Sequence, residues 1–327
     1  MKGISAAILA FLLTTTVQTQ SLPSKKDAAS LVQKAIESAR LKIDGAPFHL
    51  LAKIHYKAYA QSSTGTYELL WSAPDRFREE FRLDTSSETN VVVGEMRYML
   101  RMGPPSQLAL WHYRNLADSP LAHLGGPKID VSKVYSSQLE NRAEICVKLG
   151  STQVEKEACF DPASSTIVSL RLASKNTSNL ELRLEDFAAV GSKRYPRNQF
   201  SHIGPETLEA NVEVLEQVTR FADGAFIPPT GATVFRWCPD AVLRGSLYPP
   251  QSQLSIQNRA YYLLIGPDGH VEKSIPFVVP DKQTELLTSK WLQKEKFPIE
   301  VCHGEPIEYE RLYEEWFIPL SPTTGPR

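Results

Sequence analysis

Residues Phe48 to Ala58 read FHLLAKIHYKA, and their alternation decides the fold class. Phe48, Leu50, Ala52, Ile54, Tyr56 and Ala58 share one parity, while His49, Leu51, Lys53, His55, Lys57 and then Tyr59 share the other. A period of two marks an extended strand with one face on a core and one towards water. Similar runs follow at short intervals: TYELLW, RFREEFRL, NVVVGEMRYML, EICVKL, TIVSLRL and LELRLEDF. In the last of them Leu180, Leu182 and Leu184 oppose Glu181, Arg183 and Glu185. Turn residues rather than long helices separate the runs, which predicts a consecutively wound antiparallel sheet. Ahead of Phe48, DAASLVQKAIESARLKID places Leu31, Ala35, Ile36 and Ala39 at helical spacing, with Ser24 or Asp27 as a cap. One helix laid on such a sheet gives an α+β domain whose covered face can be apolar.

From about Trp237 the pattern changes. IQNRAYYLLIGPDGHVEKSIPF predicts a hairpin around Gly266-Pro-Asp-Gly269, with Val271, Ile275 and Phe277 on one face of its second strand. Asp281 can cap a helix that sets Leu287 and Trp291 on one face, and Ile307, Tyr309, Tyr313 and Phe317 alternate as a third strand. The order is strand, strand, helix, strand.

The chain has 327 residues, a length that predicts about two domains. Its 36 basic and 37 acidic residues leave a net charge of -1, so composition points away from a nucleic-acid partner. At the N-terminus, Met1-Lys2 and the apolar run Ile4 to Leu13 have the form of a secretory signal, with cleavage expected near Thr19 to Ser21. The run is about half of what a membrane-spanning helix needs. An uncleaved segment would hold the protein at the inner membrane.

Export makes disulfides the first reading of the four cysteines. Cys146 and Cys159 flank two strand-like stretches around a Gly-Ser-Thr turn and are expected to pair, which leaves Cys238 to Cys302. Unpaired buried thiols are the plainer alternative. No two cysteines stand two to four residues apart, as a zinc site would require.

Two resemblances add to this reading. The helix, the long strand, SAPDRFREEF (Ser72 to Phe81), the late EDF strand with Tyr195-Pro196, and FIPPTGA (Phe226 to Ala232) resemble the LolA/LolB-like lipoprotein-carrier half-barrel superfamily over residues 24 to 232. That resemblance also implies that TLEANVEVLEQVTRF is the last strand before the FIPPTGA exit. The C-terminal segment, through Tyr248-Pro249, Asp268-Gly269-His270-Val271, Trp291, Phe297-Pro298 and Gly304-Glu-Pro-Ile307, resembles the C-terminal domain of TonB-type energy transducers. It departs in lacking the glycine before the first strand and in spacing Trp291 further from Phe297-Pro298. No proline-rich spacer stands ahead of it. The implied organisation is a signal peptide (1–21), a half-barrel domain (22–232) and a TonB-like domain (233–327).

No catalytic motif stands out, no metal or cofactor is expected, and an enzyme is not indicated. His49 and His55 lie on the polar face of their strand and read as solvated. Glu79-Glu80 and Glu314-Glu315 are adjacent in strands, so each pair points to opposite faces. Trp71, Phe77, Phe81 and Trp111 are candidates to line an apolar cavity for a lipid or acyl ligand. In the TonB family an edge strand takes up a transporter's extended peptide; here that strand carries Ile307, Tyr309, Arg311, Tyr313 and Phe317. The leading expectation is a periplasmic TonB-like binding protein that engages an outer-membrane transporter or other envelope protein, in energy-coupled transport. The alternative is a periplasmic lipid or lipoprotein carrier.

Overall fold

A computed structural model describes residues 22–42, 46–58, 61–103, 116, 129–139, 142–150, 154–174, 180–203, 206–239, 242–244, 259–278 and 281–315. The signal segment, Trp111, Tyr248-Pro249 and Phe317 lie outside these.

Helix α1 (Lys25–Ala39) starts at Ser24, whose hydroxyl accepts from the Asp27 N–H. It buries Ala28, Val32, Ala35, Ile36 and Ala39, with Leu31 at the margin. Twelve strands follow in sequence: β1 (Phe48–Ala58), β2 (Gln61–Ala73), β3 (Arg76–Leu83), β4 (Ser86–Val93), β5 (Met96–Met102), β6 (Val131–Leu139), β7 (Arg142–Leu149), β8 (Val154–Phe160), β9 (Ile167–Ser174), β10 (Leu180–Val190), β11 (Lys193–Ile203) and β12 (Glu206–Gln217). With β13 (Thr233–Arg236) they form one antiparallel sheet in the order β13-β5-β4-β3-β2-β1-β12-β11-β10-β9-β8-β7-β6. NVVVGEMRYML is therefore two strands, not one. Gly94, at φ +61, makes the tight turn that pairs Val93 with Met96.

The chain leaves β5 near one edge of this sheet and returns as β6 at the other. On the way Leu116 is buried on the sheet, and its carbonyl accepts the Tyr195 hydroxyl. Beyond β12, the FIPPTGA segment brings the chain back to the edge of β5. There β13 pairs through Thr233 with Met99 and Arg236 with Met96, so the sheet runs past residue 232.

The remaining elements are β14 (Val242–Arg244), β15 (Arg259–Ile265), β16 (Val271–Val278), α2 (Lys282–Leu292), β17 (Ile299–Cys302), β18 (Glu305–Ile307) and β19 (Tyr309–Glu315). They make two small sheets, β14-β17-β18 and β16-β15-β19, the second closing on α2 through Tyr261, Leu263, Ile265, Leu292, Phe297, Tyr309 and Tyr313. Asp281 caps α2 by accepting from the Thr284 N–H at 2.8 Å, and this bond holds its carboxyl below the usual range.

Three local expectations are corrected here. Ile307 lies in β18 on β17, whereas Tyr309 begins β19 on β15, so the third strand is broken at Glu308. The register shift between Leu264 and Ile265 puts Val271 in the core but leaves Ile275 exposed. In α2 the buried positions are Thr284, Thr288 and Leu292, with Trp291 beside them; Leu287 is exposed.

Candidate functional site

The large sheet has one continuous inner face. A single line of paired residues on it runs Val134, Val147, Ala158, Leu170, Leu182, Ser201, Leu208 and Tyr56, across eight strands. Helix α1 covers its β6–β10 half, with Val32 and Ile36 packed among Val147, Phe160 and Leu170. The small Ala35 and Ala39 leave a shallow cleft against Thr166, Leu184, Phe187 and Tyr195.

Over β1 to β5 the same face changes from apolar to charged. One ladder line runs Phe48, Trp71, Phe77, Val92, Arg97 and Phe235; the next runs Leu50, Leu69, Glu79, Asn90 and Met99; a third runs Ala52, Tyr67, Phe81, Glu88 and Arg101. The first three strands supply a buried aromatic floor. Trp71 stacks on Phe77 at 5.2 Å between centroids, Trp237 meets Phe77 edge-on at 5.4 Å, and the Lys42 ammonium lies 5.5 Å from the Trp71 ring. Trp71, Phe77 and Phe81 are thus brought together as the sequence suggests, but as a packed surface.

On β4 and β5 the inner-face side chains Glu88, Asn90, Arg97 and Arg101 are bonded to one another. Arg101 Nε donates to Glu88 Oε2 at 2.8 Å, Asn90 donates to Glu88 Oε1 at 2.7 Å, and Arg97 Nη2 donates to Asn90 Oδ1 at 2.9 Å. On β3, Glu79 accepts the Tyr67 hydroxyl at 2.8 Å. The C-terminal elements meet this patch from above. Glu310 of β19 lies 3.9 Å from Arg101. Burial raises the Glu300 carboxyl above its usual range despite the pull of Arg97. Arg236 pairs with Glu305 at 3.0 Å, and the Cys238–Cys302 disulfide ties β17 to the segment after β13.

Sequence parity separates Glu79 from Glu80: Glu79 is on the inner face, and Glu80 is on the outer face between Arg78 and Arg82. The polar patch itself was missed by reading NVVVGEMRYML as one run. Folding that run about Gly94-Glu95 places Asn90 with Met99 and Glu88 with Arg101, which is the signal that would have found it.

The outer face carries the other features. His49 is bonded to Glu68 at 2.9 Å, and His55 approaches Ser62 at 3.3 Å. Cys146 and Cys159 are bonded across the β7–β8 ladder with Cα atoms 4.0 Å apart. Glu144 lies near that bridge and His303 near the other, but sulfurs committed to disulfides are not thiolate ligands, so neither cluster makes a metal site. Tyr309 and Arg311 stand on β19, which is an edge of its sheet among the described residues. No described helix is long and apolar enough to cross a membrane.

No protein-family model and no curated protein matches the chain. Among solved structures it is similar to an outer membrane lipoprotein-sorting protein domain from Vibrio parahaemolyticus, at 12% identity and TM-score 0.40 over 62% of this chain and 97% of that one. It is similar to a LolA superfamily protein from Nitrosomonas europaea, at 11% identity and TM-score 0.38 over 61% and 96%. It is also similar to MucB, at 14% identity and TM-score 0.31 over 70% and 74%. These values are low, and nothing about ligand or partner is transferred from them. The TonB resemblance finds no support in these structures.

Proposed function

We propose that this chain is an exported binding protein of the cell envelope, a periplasmic carrier that takes a ligand with an apolar chain on the inner face of its sheet, and that it performs no catalysis. The observation that supports this is the mismatch between the sheet and its cover. Thirteen strands at about 4.8 Å spacing extend over roughly 60 Å, whereas a helix with its side chains is about 10 Å wide. Helix α1 can shield only part of that face. The aromatic floor is covered instead by Leu116, Lys42 and Trp237, from segments outside the ladder.

Native mass spectrometry and solvent extraction of the purified mature protein test this reading. Co-purified lipid, or stoichiometric uptake of an added fatty acid, is the expected result. A protein that carries none and takes up none is not a carrier.

A second reading, uptake of an envelope protein's extended segment by strand addition, is favoured by the position of β19 at the edge of the β16-β15-β19 sheet. Capture by the full-length chain of no envelope protein above background would remove it.

A further inference from the structure

Ion pairs under a cover are a costly way to build a core. Desolvation offsets most of their attraction, and apolar residues of equal size do as well or better. Arg97 and Arg101 nevertheless stand on the inner face of β5, in ladder lines that begin with Phe48 and Ala52; the first of these continues to Phe235. Each guanidinium is oriented from within the sheet through its Nε and one Nη: Arg97 donates both to Asn90 Oδ1, and Arg101 both to Glu88 Oε2. The carboxylate that meets Arg101 from outside the sheet, Glu310, belongs to the C-terminal elements. The contact of Arg101 with Glu310 is a loose one at 3.9 Å.

We propose that Arg97 and Arg101 anchor the head of an acidic single-chain amphiphile whose tail lies along β3, β2 and β1, and that Glu310 serves at Arg101 as an internal stand-in for the acidic head when no ligand is bound. This rests on the apolar-ligand reading above and adds the class of the head group. The guanidinium fork suits a carboxylate or a phosphate. From β5 to β1 the floor spans four inter-strand steps, about 19 Å. It is polar at the arginine end and aromatic at the other, as a molecule with one charged and one apolar end requires. At Arg101, binding exchanges the Glu310 carboxylate for another acidic group. The Cys238–Cys302 tether keeps the displaced elements close to the sheet.

Full-length protein is titrated with oleate, oleoyl lysophosphatidate and oleyl alcohol, followed by tryptophan fluorescence and calorimetry. At least one acidic probe binds tenfold or more tighter than the alcohol, and whichever acid leads identifies a carboxylate or a phosphate head. Arg97→Gln abolishes that preference while alcohol binding persists. Glu310→Gln tightens the acidic probe severalfold without affecting the alcohol. This variant keeps the test open if loss of an arginine prevents folding. Equal affinity for all three probes, or a preference unmoved by every variant, overturns the anchor and leaves the apolar-ligand reading standing. Binding of no probe overturns both.

Discussion

The hydroxyl of Tyr67 donates a 2.8 Å hydrogen bond to Glu79 Oε1, diagonally across the β2–β3 ladder and within the buried inner face. Tyr67 is fully buried and Glu79 nearly so, which makes the bond a condition for carrying a carboxylate there. Tyr67→Phe keeps the ring and removes the donor. The expected cost is about 1–3 kcal/mol, read as a lower urea midpoint at unchanged slope.

Gly65 faces the β3 backbone so closely that an added Cβ would stand 1.8 Å from the Arg82 carbonyl oxygen. Gly65→Ala must push β2 and β3 apart at that point. A loss of about 1–3 kcal/mol is expected in equilibrium unfolding.

The two disulfides should differ in worth. Cys146 and Cys159 are 13 residues apart in sequence, Cys238 and Cys302 are 64. The chain-entropy model gives about 3 kcal/mol for the shorter closure and about 4 kcal/mol for the longer. Paired serine variants of each bridge, compared by urea denaturation, should show the larger loss for Cys238 and Cys302.

Tyr135 has its phenol pushed up to about 12, by burial first and then by its hydrogen bond to Glu157 and the charges of Glu157 and Glu155. The folded chain thus keeps a proton that the unfolded chain releases near 10.0. Stability from this group is complete below that value and falls as pH rises towards about 12. Ultraviolet titration should show a late tyrosine that Glu157→Gln brings down.

Glu300 is raised by burial, and Glu308 is raised by burial together with Glu272 and Glu310. A carboxyl with a raised folded-state value adds stability below its unfolded value and loses that stability as pH climbs through the folded one. Unfolding followed at the C-terminal elements should therefore become easier from mildly acidic to neutral pH. Glu300→Gln should flatten that slope.

Wherever a side chain's parity reported its face, the sequence was a good guide. FHLLAKIHYKA gave β1, LELRLEDF gave β10, and Ser24 capped α1. The glutamates of TLEANVEVLEQ favour helix and its valines strand; it forms β12, as the half-barrel resemblance implies, with Leu208, Ala210 and Val212 facing the core between β1 and β11. Tertiary pairing settled an ambiguous local propensity there. What parity could not report was partner choice. Four residues, Thr233 to Arg236, carry too little pattern to announce a strand, and they became β13 because the edge of β5 was open to them. The charged end of the inner face was hidden for a related reason, since Glu88 and Arg101 meet only once the Gly94 turn is made.

The pairing of β1 with β12 also bears on how the chain comes together in time. Tyr56 and Glu206 share a 2.7 Å hydrogen bond although 150 residues separate them. Until β12 has emerged, β1 has a neighbour on one side only, and its Phe48-to-Tyr56 stripe is joined to an unfinished sheet. Closing so long a loop is entropically expensive and slow, and half-built sheets with open edges are prone to misassociate. Folding of this protein should therefore be gated by arrival of its last long strand, and a chain arrested before residue 206 should be a substrate for holding chaperones rather than a smaller folded domain.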